Sequence, residues 1–93
     1  MKSIWKYQIK ITDEQIIEVP FGSEFLHIGI QKDIPTIWFI VDTTRQEKET
    51  IKLRIYGTGH KIPDWISKDE HIGTIKMSND SLIWHVFRVQ WNV

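Results

Sequence analysis

The segment Pro35-Thr-Ile-Trp-Phe-Ile-Val-Asp42 carries an unbroken apolar run, Ile37 to Val41. A strand with one wet face alternates apolar and polar residues, whereas a strand covered on both faces does not. This segment is therefore expected to be the central strand of a sheet, buried on both sides. Upstream, Leu26, Ile28 and Ile30 alternate with their neighbours, and Lys32-Asp33 turns the chain into the run. Trp5, Tyr7, Ile9 and Ile11 alternate with Lys6, Gln8, Lys10 and Thr12, which reads as a strand with one wet face. Asp13-Glu14 is the next turn, and Ile17 and Val19 form a short strand stopped by Pro20 and Gly22-Ser23.

Downstream, Asp42 to Glu49 is the longest polar run and reads as a mobile hairpin loop. Ile51, Leu53 and Ile55 alternate with Lys52 and Arg54 up to the glycines at 57 and 59. Residues 60–70 lack strand periodicity and hold either one helical turn starting at Pro63 or an ordered loop pinned by Trp65. Ile72, Ile75 and Met77 form another strand, and Ser78-Asn-Asp-Ser81 is a hairpin signal. Leu82, Trp84 and Val86 then oppose Ile83, His85, Phe87 and Val89 in a last strand continuing toward Trp91. About seven short strands predict a single mainly β domain over residues 1–93, an antiparallel β-sandwich or barrel-like sheet.

Composition agrees with this reading. The chain has no alanine, the best helix former, and isoleucine is its commonest residue. Ninety-three residues leave no room for a second core, and a core this small gains from self-association, so a homo-oligomer is expected. Twelve basic residues balance twelve acidic ones, which argues against binding to bulk nucleic acid. Cysteine is absent, which excludes disulfides, zinc ribbons and a thiol nucleophile. Met1-Lys2-Ser3 leads into alternating residues rather than an apolar leader, and no segment has the length of a membrane span. A soluble, cytoplasmic protein without membrane partners is the expectation.

The least ordinary stretch is Arg54-Ile-Tyr-Gly-Thr-Gly-His-Lys-Ile-Pro63. Gly57 and Gly59 permit positive φ and let a ligand approach bare backbone N–H groups, while Arg54, His60 and Lys61 bring charge or hydrogen bonds to a phosphate. Tyr56 and Trp65 supply surfaces on which a base can stack. The alternative is a tight, glycine-bulged exit from a strand. The spacing matches neither a Walker loop nor the dinucleotide fingerprint. Histidines 27, 60, 71 and 85 lack metal-ligand spacing, and on strands His27 and His85 read as neutral, hydrogen-bonded rings. Thr58, His60 and Asp64 are the best catalytic combination and fall short of a triad, so no enzyme activity, cofactor or metal is expected. Trp38 and Trp84 read as core; Trp5, Trp65 and Trp91, near an end or in a loop, read as roofing a small core or meeting a second subunit ahead of stacking on a ligand.

Val41-Asp42, Tyr56 to His60, Ile72-Gly-Thr74 and His85-x-Phe87 together resemble a family of small β-rich proteins encoded in bacteriophage and prophage genomes, with a recurring Tyr/Val-Gly-Thr-Gly-His motif. The resemblance runs from about Val19 onward. It implies no catalytic role. It implies a phage protein in the cytosol of a bacterial host, countering antiviral defence. One form of that role is sequestration of a nucleotide-derived immune signal in a pocket at a subunit interface, through Arg54, Tyr56, Gly57, Thr58, Gly59, His60, Lys61 and Trp65. The other forms are a protein–protein inhibitor of a host defence protein, or a structural or accessory phage protein.

Overall fold

Residues 35–41 run through the centre of a sheet in the computed structural model, which describes residues 1–89. The strands are β1 (Lys2–Gln8), β2 (Glu14–Pro20), β3 (Glu24–Gln31), β4 (Ile34–Asp42), β5 (Lys48–Gly57), β6 (His71–Met77) and β7 (Leu82–Val89). They form two antiparallel sheets, β1-β4-β3 and β2-β5-β7-β6. Between the sheets lies one core, with Ile28, Ile37, Phe39 and Val41 from the first and Val19, Ile51, Leu53, Ile55, Ile75 and Val86 from the second. The mainly β sandwich expected from the alternation is the architecture present. Trp91 and the continuation of the last strand lie outside the described residues.

Two expectations are corrected. The apolar run on β4 is buried on one face only: Ile37, Phe39 and Val41 are sealed, while Trp38 and Ile40 point outward and are half-buried. His27 lies against Trp38, its ring 5.6 Å away, so this tryptophan covers the outer face of its sheet instead of filling the core. Nor is residues 42–49 a hairpin. β4 and β5 belong to different sheets, and the segment between them crosses from one to the other. It is tied down throughout: Thr43 N–H donates to Met1 C=O, Phe21 N–H donates to Glu47 C=O, and the Arg45 guanidinium lies 5.1 Å from the Phe21 ring.

The true hairpins are β3–β4 and β6–β7. Lys32 and Asp33 both have positive φ, as the two-residue turn that matches strand twist requires. Ser78, Asn79 and Asp80 do the same in the second, closed by Ser81 N–H on Ser78 C=O. Residues 60–70 form an ordered loop, with a turn at 63–66 and a 3₁₀ turn at Lys68–Glu70. Ser67 caps that turn reciprocally with Glu70. The helical turn thus starts after Ser67, where a capping residue exists, and not at Pro63.

The sandwich is closed on one side and open on the other. β3 packs against β6, while β1 and β2 are the outer edges of their sheets and have β4 and β5 as their main neighbours. Asp42 ties the first of these edges. Its Oδ1 accepts from the Thr44 hydroxyl at 2.6 Å, from Thr44 N–H at 3.0 Å and from the N-terminal ammonium at 3.3 Å. Those bonds, the Thr44 hydroxyl foremost, hold the Asp42 carboxyl down to about 2 from an ordinary value of 3.8. The depressed value means that this tie stabilises the fold fully above pH 3.8 and is lost as pH falls through about 2. Carboxyl-carbon NMR should give a midpoint for Asp42 near 2; a midpoint at 3.8 would show the Thr44 clasp to be absent.

Candidate functional site

On β5 the period of two sends Leu53 and Ile55 into the core and Arg54 and Tyr56 onto the outer face. Strand pairing sets Glu14 of β2 directly opposite Arg54. Its carboxylate meets the Arg54 guanidinium at 2.8 Å and Lys52 Nζ at 3.2 Å. Arg54 Nη1 also donates to the Tyr56 hydroxyl at 3.1 Å, and the guanidinium sits 5.3 Å from the Trp65 ring. The Tyr56 bond first, and Glu14 and Asp13 after it, raise the Arg54 pKa above its ordinary value, so the group stays charged. Arg54 Nε is buried and has no hydrogen-bond partner among the described residues. Trp65 thereby pins the 60–70 loop over this face, as expected for an ordered loop. Ile66 next to it is buried outside the main core.

Gly57 to His60 is a tight turn. His60 N–H donates to Gly57 C=O at 3.1 Å, and Gly59 at the third position has φ +90°, the arrangement that a type II turn reserves for glycine. Gly57 N–H donates to His60 Nδ1, and Thr58 N–H donates to Ile83 C=O. Of these four N–H groups only that of Gly59 lacks an intramolecular partner among the described residues. The loop's glycines therefore build the turn and do not form a backbone nest for an anion. Gly57 has a second duty: a Cβ there would stand 2.9 Å from His60 Cε1, so the missing side chain is what lets the imidazole fold back over the strand end.

His60 stands between two clefts. One, open and about 490 Å³, is lined by Asp13, Arg54, Tyr56, His60, Lys61, Ile62 and Pro63. The other, about 180 Å³, is lined by Gly57, Thr58, His60, Ser81, Leu82, Ile83 and Trp84. The structure thus brings Arg54, Tyr56, His60 and Lys61 to one cleft and Gly57, Thr58 and His60 to the other. Gly59 shapes the turn without lining either, and Trp65 acts through Arg54. Thr58 is hydrogen-bonded to His85 and His60 to Gly57 N–H, and Asp64 makes no hydrogen bond or ion pair with either among the described residues, so the combination considered for catalysis is not assembled.

A feature that the sequence pattern did not single out connects the remaining motif residues. Thr58 Oγ1 is 2.7 Å from His85 Nε2, His85 Nδ1 is 3.2 Å from Thr74 Oγ1, and Thr74 Oγ1 is 3.1 Å from His71 Nε2. Both ring nitrogens of His85 are engaged in hydrogen bonds, as expected of a hydrogen-bonded histidine on a strand. Phe87 meets Tyr56 and His71 edge to face, with centroids 6.0 and 5.4 Å away. In the sequence Thr58, Thr74, His85 and Phe87 stand in separate motif elements, and nothing in their spacing links them. Thr74 and His71 meet His85 and Phe87 through the β6–β7 register. No cluster of three His, Asp or Glu side chains placed to hold a metal occurs among the described residues. No helix there is long and apolar enough to cross a membrane.

The chain belongs to a family described as a domain of unknown function, DUF7352, which matches residues 1–92. No curated protein and no solved structure matches it.

Proposed function

We propose that this DUF7352 domain is a non-catalytic binding protein that holds a nucleotide-type anion in the cleft beside His60. The observation that carries the reading is the convergence of Arg54, Tyr56, His60 and Lys61 on one open cleft of about 490 Å³, a volume within the range of small-molecule sites. Lys61 has no ion-pair partner among the described residues, so its ammonium is available to a phosphate. His60 offers its Nε2, because Nδ1 is taken by Gly57 N–H. Across the cleft, Asp13 can accept hydrogen bonds from ribose hydroxyls, and Tyr56 offers an aromatic ring. Arg54 contributes mainly field, since Glu14, Tyr56 and Trp65 already surround it. In the bacteriophage setting that the sequence resemblance implies, the ligand is a nucleotide-derived signal of a host defence system. The role is then sequestration in the host cytosol.

The test uses His60→Ala with Lys61→Ala, both exposed, and spares Arg54, whose removal would strand Glu14. Native mass spectrometry of protein purified from bacteria with active nucleotide signalling should show a bound nucleotide-sized mass. Calorimetric titration with that compound should lose about 10-fold to 100-fold in affinity in the double variant, the effect of removing charge-assisted hydrogen bonds. Unchanged affinity would remove the cleft from consideration. A clean polypeptide mass with nothing bound would favour inhibition of a host protein by surface contact.

A further inference from the structure

We infer that the two free sheet edges, β1 and β2, are the two halves of one self-complementary interface, and that its occupant is a second copy of this chain. The inference stands apart from the cleft reading and needs no ligand.

Backbone direction comes first. Met1 C=O accepts from Thr43 N–H at 2.8 Å, and Ile9 N–H donates to Pro35 C=O at 3.0 Å, so the odd-numbered residues of β1 turn their backbone groups toward β4. Lys2, Ile4 and Lys6 therefore turn theirs toward the open edge. On β2, Asp13 C=O accepts from Ile55 N–H at 3.2 Å and Phe21 N–H donates to Glu47 C=O at 2.8 Å. By the same alternation Glu14, Ile16 and Glu18 face the open edge. Both triplets also place their side chains on the outer faces of their sheets, opposite the core-facing phase. One edge thus reads Lys-x-Ile-x-Lys and the other Glu-x-Ile-x-Glu. Ile4 and Ile16 at their centres are 58% and 50% exposed, unusual for edge isoleucines in a lone subunit.

Laid antiparallel, Lys2 faces Glu18 of the second copy, Ile4 faces Ile16, and Lys6 faces Glu14. All three are pairs that exchange both backbone hydrogen bonds, because the facing residues direct N–H and C=O into the shared edge. Slipping by two residues in either direction breaks both charge pairs and sets one lysine and one glutamate against isoleucines. Like edges are disfavoured: β1 on β1 sets Lys2 against Lys6, and β2 on β2 sets Glu14 against Glu18. Residues 9–13 alone join β1 to β2, so the two strands run in opposite directions on the open side, one in each sheet. A two-fold axis between the sheets and parallel to the strands then makes both pairings at once. The three strands of one sheet continue into the four of the other, in the order β3-β4-β1-β2-β5-β7-β6. Present commitments leave room for this. Lys2 has only an exposed pair with Glu24 at 3.7 Å, Lys6 meets Gln31, and Glu18 has no ion pair among the described residues. Glu14 would add Lys6 of the second copy to Lys52 and Arg54. Because Asp13 adjoins Glu14 and lines the larger cleft, the second copy's β1 would end beside that cleft.

Sedimentation equilibrium tests the interface. The wild-type protein should run at about twice its 11.1 kDa chain mass. The pair Lys2→Glu with Lys6→Glu, and separately Glu14→Lys with Glu18→Lys, should each run at chain mass. An equimolar mixture of those two variants should recover the doubled mass, since each then offers the other opposite charge at both edges. Ile16→Pro removes an N–H that points to the open edge and a half-exposed side chain outside the core, so it should fold by circular dichroism and lose the doubled mass. Should the Glu14 change disturb Arg54, Lys2→Glu and Glu18→Lys as single variants give the same pattern with a smaller loss. A wild type that stays at chain mass, an Ile16→Pro variant that stays dimeric, or a mixture that stays monomeric overturns the proposal.

Discussion

Phe39→Ala is expected to cost about 3–5 kcal/mol, enough to leave a small domain largely or wholly unfolded. Phe39 is 1% exposed, on the central strand of its sheet. Its ring receives Tyr7 at 5.9 Å and Phe25 at 6.2 Å, both edge to face and from opposite flanking strands. Removing it opens a void and strips those two aromatics of their shared partner, and neither can fill the space from its own strand. Tyr7 is one of the few side chains that fasten β1 to the body of the protein, so the free edge would loosen with the core. Urea denaturation followed by circular dichroism should show a lower midpoint with an unchanged slope. A loss under about 1 kcal/mol would mean that the core collapses around the gap, against the close packing assigned to it.

Gly73→Ala is the second large effect, expected at about 1–3 kcal/mol. Gly73 lies at the register shift of β6, where a Cβ would fall far inside van der Waals contact of Ile28 Cγ2 on β3. This is the closed side of the sandwich, and the missing side chain allows the two sheets to meet there. A double-mutant cycle separates this cause from a general glycine effect. Ile28→Ala removes the obstructing methyl, so Gly73→Ala should cost little in that background. Equal costs in both backgrounds would assign the effect to backbone conformation instead. The site should feel the change, because the next residue, Thr74, holds His85 Nδ1. Displacing β6 should therefore weaken the hydrogen-bond chain to Thr58 even where the variant remains folded.

These two residues were unequally legible. Phe39 announces itself within an apolar run, but continuous hydrophobicity there does not mean burial on both faces. In the fold, Trp38 and Ile40 are apolar because they carry a half-covered outer face, where His27 supplies part of the cover. Gly73 announced nothing. A glycine inside a strand pattern suggests a bulge or a close approach, but which neighbour approaches depends on β3 lying over β6. The same division runs through the site. Arg54, Tyr56, His60 and Lys61 are near one another in sequence, so their shared cleft was visible as a cluster. The nest that Gly57 and Gly59 suggest does not form, because a hydrogen bond to His60 Nδ1 and another to Ile83 C=O occupy N–H groups it would need.

The sequence alone determined the strand content, the two hairpin turns, the inward phase of most core residues and the outward phase of Arg54, Tyr56 and His85. Each of these follows from side-chain alternation or turn chemistry within a few residues. Only the tertiary structure decided that Glu14 faces Arg54, that Thr58, His85, Thr74 and His71 form one chain, and that β1 and β2 are left as free edges. Strand order sets all three, and order is a property of the whole sandwich. A strand's own residues state which face is buried; they do not state which strand lies beside it.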